Sequence, residues 1–382
     1  MRRAEAVASG LYLTLLVGPV VPLPAPKPLI DALTAVEVTI NSTGRSGFRL
    51  SFTLSDRSLL QTVFLLAPPA VELRVVIMVT VNNIPQVLMD GVMRHHETQP
   101  ASSGGHSTIT IIGEDLTAVM DLLPMNGLPY PAMPAEVRVG AILAKYGMYG
   151  VIPQIVPSLV PDLPIPVDRI SAQDGTDFAY INQLATENGY VFYLDPGPVP
   201  GVSRAYWGPQ VKFGIPQPAL NVNMDTWTNV EQLSFQYQPS NATLPIVYIQ
   251  DDITHVPIPI AIPPVTPLNP PLGVMVPTPT RVERLTDTAK YTPGQALMMG
   301  MARASASADV VTGSGSLDVL RYGRVLQARG LVGVRGAGPA FDGLHYVDSV
   351  THSIALGQYK QSFTLTRNAL ISNTPVVPTI GL

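Results

Sequence analysis

The side chains best suited to chemistry in this sequence are His95, His96 and Glu97, with His106 a little further on. Imidazole and carboxylate groups clustered this way suit a divalent metal, which needs three or four ligands converging on one point. On a strand, adjacent residues point to opposite faces, so His95 and His96 cannot grip one ion together. His106, across a turn at 102–105, brings the set to two ligands at most, and a solvated loop is the simpler reading. His255 beside Asp251 and Asp252 makes no stronger case. His345 and His352 flank Asp348 on one strand, where 345 and 348 face opposite ways, which favours packing over ligation.

Nucleophilic and phosphate-binding signatures are also missing. There is no G-x-S-x-G elbow; Gly44-Arg45-Ser46-Gly47 reads as a turn and the stretch 313–316 (GSGS) as a flexible loop. No G-x-x-x-x-G-K-[ST] or G-x-G-x-x-G occurs, and Gly336-Ala337-Gly338 runs into Pro339 rather than opening a helix. Glu114-Asp115 and Asp251-Asp252 are adjacent acids of the kind that 27 acidic residues produce by chance. Trp207 and Trp227 suit core or interface anchors better than a sugar platform. The expectation is a protein with no catalytic residue, metal or cofactor.

The elements that would position any site are mostly strands. Phe48, Leu50, Phe52 and Leu54 alternate with Arg49, Ser51 and Thr53, the period of a half-buried strand. Stretches 36–40, 73–81, 87–93 and 107–112 read as further strands, with turns at 43–46, 82–83 and 102–105, giving an antiparallel β unit over 9–115. Residues 114–123 read as helical, and 137–146 as a short helix stopped by Gly147. The best-defined helix is 176–188: Asp174 or Thr176 caps it, Phe178, Ile181, Leu184 and Ala185 share a face, and Gly189 turns the chain into strand 190–194. A second β unit opens near Gln210, with Leu233, Phe235 and Tyr237 alternating against Ser234, Gln236 and Gln238. Prolines at 257, 259, 263, 264, 267, 270, 271, 277 and 279 predict extended polyproline-like chain there, neither helix nor central strand. A helix follows at 293–307, and strands resume from Val319 to Arg367.

Composition points the same way. Apolar residues make up 46% of the 382, but charged residues only 13%. That is well below the charged share of an ordinary globular domain. A surface so poor in charge suits broad contacts with other subunits. The net charge of −4 with no basic run leaves no electrostatic footprint for nucleic acid. The absence of Cys excludes disulfides and thiolate sites. Residues 1–21 imitate a signal peptide, but no A-x-A-like site follows and Leu11, Leu13 and Leu15 alternate as in a strand. The apolar stretch 151–167 holds too many prolines for a membrane helix.

The stretch DFAYINQLATENGYVFYLD resembles the helix–strand of baseplate hub proteins of contractile phage tails and contractile injection systems. These are the phage late control protein D family and the hub portion of VgrG-type spikes. Asp177, Phe178, Leu184, Ala185, Glu187, Gly189, Tyr190, Phe192 and Tyr193 match its D-F-x-x-x-x-x-L-A-x-E-x-G-Y-x-F-Y pattern. The ending is similar too: a strand over 320–330, Phe341-Asp342-Gly343, a strand over 346–352, Gly357-Gln358-Tyr359 and a last strand over 363–367. So is the opening, in its Leu-x-x-Val-x-Val strand 33–38.

The resemblance implies a mainly β chain with α+β insertions and two tube-protein-like β-barrels, assembled as a homotrimeric hub. Its layout would be a first barrel at 1–116, an α/β insertion at 117–209, and a second barrel at 210–252 plus 318–371. A Pro-rich and helical insertion at 253–317 would interrupt the second barrel, and 372–382 would form a tail. It implies a ring, assembled in the bacterial cytoplasm, that joins a six-fold inner tube to a three-fold spike and transmits the force of contraction. Its partners would be a separate spike protein, inner tube or tube-initiator proteins and other baseplate components. The alternatives are a cell-wall glycan hydrolase, which needs a carboxylate pair, and a secreted β-sandwich adhesin, which needs a signal.

Overall fold

The computed structural model describes residues 10–54, 73–100, 106–158, 171–250, 256–264, 269–286, 288 and 291–373. The expected turn at 102–105, Asp251, Asp252 and His255, and most of the tail 372–382 lie outside these.

The alternating runs fold into one 13-stranded sheet. Its path is Gln232–Tyr237, Val311–Asp318, Gln358–Arg367, Gly343–Ala355, Leu33–Asn41, Gly47–Leu54, Ser107–Asp115, Ile84–Gln99, Arg74–Val81, Leu11–Gly18 and Leu23–Pro24. Gly343–Ala355 also pairs with Leu331–Arg335, which pairs in parallel with Gln217–Asn221. In Gly47–Leu54 the buried residues are Phe48, Leu50, Phe52 and Leu54, so the two-residue period read from the sequence is the one that fills the core. Asn82 and Asn83, at φ 49° and 64°, form the hairpin between Arg74–Val81 and Ile84–Gln99. Asparagine tolerates this left-handed region, which most residues avoid.

The early and late strands meet at a seam. Gly343–Ala355 runs antiparallel to Leu33–Asn41, from Ser349 opposite Asn41 to Ala355 opposite Ala35. Thr39 and Thr351 hydroxyls lie 3.1 Å apart across it, and the Ser42 hydroxyl donates to Asp348 at 2.5 Å. Both sides feed one apolar cluster, in which Val36, Val38 and Phe52 share space with Val350, Ile354 and Phe363. Each half therefore has its exposed backbone groups on this side satisfied by the other.

A second core belongs to the segment after the early strands. Helices Ala135–Ala144 and Asp177–Glu187 pack over strands Val151–Ile155, Val191–Pro196 and Ser203–Gly208, burying Leu143, Leu184, Phe192 and Trp207. The three-stranded sheet of Thr243–Gln250, Pro257–Ala261 and Arg281–Leu285 is covered by helix Pro293–Ser307. Thr292 starts that helix with a capping box to Gln295.

Several expectations are corrected. Strand Ser107–Asp115 runs into the expected helix at 114–123, of which one turn remains, Thr117–Met120. The second helix ends not at Gly147 but after a 3-10 turn at Gly150, φ 72°, where a Cβ would clash with the Gly201 carbonyl. Residues 313–316 are not a loop: they lie inside strand Val311–Asp318, where the missing side chains of Gly313 and Gly315 make room for the rings of Phe235 and Phe363. Val319 opens a helical turn, Val319–Tyr322, because Asp318 caps the amides of Leu320 and Arg321. The expected strand 320–330 is instead Leu331–Arg335. Pro257–Ala261 is an edge strand rather than polyproline chain. An edge needs amides on one side only, so the missing N–H groups of Pro257 and Pro259 can point away from the ladder.

Candidate assembly surface

The residues first considered for chemistry do not come together. His95 and His96 lie in strand Ile84–Gln99, not in a loop, opposite Ile112 and Ile111, and so on opposite faces. His95 Nε2 is 3.9 Å from Glu97. Among the described residues no three of His, Asp and Glu gather as metal ligands would. Glu114 faces Arg45 at 3.3 Å, whereas Asp115 is buried and accepts hydrogen bonds from the Ser46 and Thr117 amides, with burial pushing its carboxyl up. His345 and His352 are core residues whose pKa burial depresses to about 3. His352 Nδ1 meets the Tyr359 hydroxyl at 2.7 Å, beside Gln361, which brackets the Leu326 backbone. Trp207 is fully buried, while Trp227 is 69% exposed.

The helix–strand residues do meet one another. The Thr176 hydroxyl accepts from the Ala179 amide and starts the helix. Asp177 is buried and takes hydrogen bonds from the Tyr146 hydroxyl and Gln173, with Lys145 Nζ at 2.6 Å. Arg45 lies over the Phe178 ring at 4.3 Å, and Phe178 meets Phe192. Leu184 and Ala185 face the second core, and Glu187 accepts from Gln183 at 2.9 Å. Gly189, at φ 66°, sits where a Cβ would strike the Met298 carbonyl. It therefore both reverses the chain and lets helix Pro293–Ser307 approach. Tyr190 packs edge-on against Trp207, and Tyr193 stacks on Tyr206. Gly343 (φ 118°) opens the seam strand beside Ser372, Gly357 (φ 78°) closes the last hairpin, and Tyr359 is the core partner of His352.

The sheet also offers a surface. Along one face, cross-strand neighbours carry hydroxyls. One row runs from Ser234 to Ser314 and Thr364; another from Ser316 through Ser362 and Thr351 to Thr39; a third joins Ser51 with Thr110. The same face also carries Asp318, Lys360, Glu37, Arg49 and Glu97. Ser234, Gln236 and Gln238 are exposed while Leu233 and Phe235 turn inward. Among the described residues Gln232–Tyr237 pairs on one side only, which leaves an open backbone edge at that end of the described sheet.

Two arginines fasten to this sheet the inserted segment, the chain between its strands Ser107–Asp115 and Gln217–Asn221. Arg74 makes a bidentate pair with Asp90 at 2.7 Å, both buried, and donates to the carbonyls of Val20, Tyr149 and Gly201. Two parallel charge-assisted bonds of this kind fix orientation as well as adding energy. Arg45 pairs with Asp121, which accepts from Thr176 at 2.5 Å. Arg74 and Asp90 escaped the reading of the sequence, although Arg74 is the lone charge of Arg74–Val81 and Asp90 the lone charge of the apolar stretch 84–93, on either side of the Asn82-Asn83 turn. That placement is their signal.

No family model and no curated protein matches the chain in sequence. Solved structures do match its fold. A 43 kDa tail protein of prophage MuSo2 from Shewanella oneidensis has a TM-score of 0.64 at 12% identity over 94% of this chain and 99% of that one. A tail protein from Neisseria meningitidis gives 0.62 at 13% identity, over 94% and 97%. An E. coli component of the type VI secretion system, described as similar to the phage T4 tail proteins gp27 and gp5, gives 0.54 at 12% identity, over 90% and 76%. The chain thus has the mainly β fold of phage tail proteins and of this secretion-system component.

Proposed function

We propose that this chain is the structural hub of the baseplate of a phage tail or contractile injection system. Three copies form a ring that connects a six-fold inner tube to a three-fold spike and carries the force of contraction between them. In this reading the early and late strands are two tube-like barrel units, and the segments at 117–209 and 253–317 are insertions decorating the ring. Its partners are two further copies of itself, a separate spike protein, tube proteins and other baseplate components. The work is mechanical, and no residue of the chain acts as a catalyst.

The observation that carries this reading is the continuous hydroxyl-bearing face of the sheet, ending at an unpaired edge. Pairing that edge with a neighbouring copy would satisfy its backbone groups, and three-fold closure would wrap the polar face around a channel. Serine and threonine hydrate such a channel, and the charges among them, Asp318, Lys360, Glu37, Arg49 and Glu97, are of both signs. The same tail-protein fold in the structural neighbours supports a structural role. Size-exclusion chromatography with multi-angle light scattering of the purified chain is the test: a species of three times the 40.8 kDa monomer mass is expected. A stable monomer at micromolar concentration would overturn the proposal.

A further inference from the structure

Among the described lysines Lys212 alone is buried. It follows strand Ser203–Gly208, and its Nζ lies 2.5 Å from Oδ2 of Asp309, 97 residues along the chain at the entry to strand Val311–Asp318. The two side chains are 4% and 18% exposed. Nζ also lies over the Tyr346 ring, 5.7 Å from its centroid.

Other close pairs of the chain differ in kind. Lys145 reaches Asp177 at 2.6 Å and Lys360 reaches Glu231 at 2.8 Å, but these lysines are 40% and 45% exposed. Water keeps such an amine protonated and therefore unreactive. Arg74 and Asp90 are more deeply buried, but a guanidinium does not give up its proton. Only at Lys212 does a nucleophile that can be neutralised meet a carboxyl away from water.

Burial disfavours both charges of this pair, which draws a proton from the ammonium towards the carboxylate. The Asp309 carboxyl is pushed up by burial against the pull of Lys212, and the like charge of Asp348 pushes it further. Asp348 sits at a β-bulge: pairing of Gly343–Ala355 with Gln358–Arg367 jumps from Val347 to Ser349, which frees residue 348 from the ladder. The Ser42 hydroxyl then fixes its carboxylate at 2.5 Å. A neutral amine held against a protonated carboxyl is a nucleophile facing its electrophile.

We propose that Lys212 and Asp309 condense to an intramolecular isopeptide bond. Lys212 Nζ bonds to Asp309 Cγ, and one carboxyl oxygen leaves. Counted from the ion pair, both protons that carry this oxygen away as water come from Nζ, and an amide with one N–H remains. Nothing is oxidised or reduced, and no co-reactant is needed. The product is neutral, which removes the desolvation cost of a buried ion pair. It also ties the chain ahead of strand Gln217–Asn221 directly to strand Val311–Asp318, so tension along the late strands would bypass everything between residues 212 and 309. The bond needs a single copy of the chain and does not depend on the ring.

The test is mass spectrometry of the full chain, unfolded before digestion. Wild type should be lighter than its sequence by one water, and trypsin should release Lys212 and Asp309 in one branched peptide, uncut after Lys212. Lys212→Arg keeps a cation opposite Asp309 but stays protonated and cannot attack. It should therefore be heavier than wild type by the side-chain difference plus one water, and Asp309→Ala should likewise have its full sequence mass. A wild type of full mass, complete cleavage after Lys212, or a water loss that persists in Lys212→Arg would each overturn the proposal. So would a loss that maps to Asp90-Gly91, Asp174-Gly175 or Asp342-Gly343, where cyclisation to a succinimide expels the same water.

Discussion

The seam between the early and late strands and the junction of the inserted segment are held by different physics. At the seam a long backbone ladder does the joining, and the polar groups behind it, His352, Tyr359 and Gln361, are neutral. At the inserted segment one guanidinium gathers a carboxylate and three carbonyls from separate parts of the chain. A ladder spreads its stabilisation over many similar bonds, so no single side chain decides it. A buried ion concentrates it, and removal of one partner leaves the other charge desolvated. The two junctions should therefore fail under different insults.

The largest effect should follow Arg74→Met. Asp90 would be left buried and unpaired, and unfolding in denaturant should show a loss of about 3–5 kcal/mol. Arg74→Met with Asp90→Leu should recover much of it, since the desolvated carboxylate is then gone. A single variant within roughly 1 kcal/mol of wild type, the worth of an exposed pair, would erase the contrast between the junctions.

Acid should attack the seam side instead. The folded pKa values of His345 and His352, about 3, lie below the ordinary 6.5. Below pH 6.5 the unfolded chain therefore takes up protons that the fold refuses. The stability of the neutral rings is fully present above pH 6.5 and drains as the pH falls towards 3, by about 1.4 kcal/mol per histidine per pH unit. Denaturant midpoints between pH 7 and 5 should fall accordingly, and His352→Gln should flatten the slope. A wild-type profile flat over that range would show that the rings are not held neutral.

A smaller loss is expected from Gly313→Ala. The new Cβ would come within 2.6 Å of the Phe235 ring, itself stacked on Phe341. Such overpacking costs about 1–3 kcal/mol. A melting temperature equal to wild type would mean that the rings move aside freely. The least should follow Lys360→Ala, which removes an exposed pair with Glu231 at 2.8 Å. Exposed pairs of this kind contribute little, so the melting temperature should be unchanged at low and high salt alike. A salt-dependent drop would show that this pair does more than an isolated surface contact.

The same contrast explains what the sequence discloses. Strands such as Gly47–Leu54 and the helix Asp177–Glu187 are legible because their periods and caps are local. The strand Val311–Asp318 is not, because its glycines answer to Phe235 and Phe363, far away in sequence. Pro257–Ala261 is hidden for a related reason: proline excludes a central strand but not an edge, and only the partner Thr243–Gln250 reveals which side is open. The hydroxyl face combines residues from many strands in register, so no window of sequence contains it.

The central claim is a three-copy ring whose channel is walled by the hydroxyl face, and electron cryomicroscopy of the purified assembly addresses it most directly. The expected map shows three protomers around an open channel, with Ser314, Ser362 and Thr351 directed into it and Gln232–Tyr237 paired to the next copy. A map with that face turned outwards, or with no channel, would contradict the account.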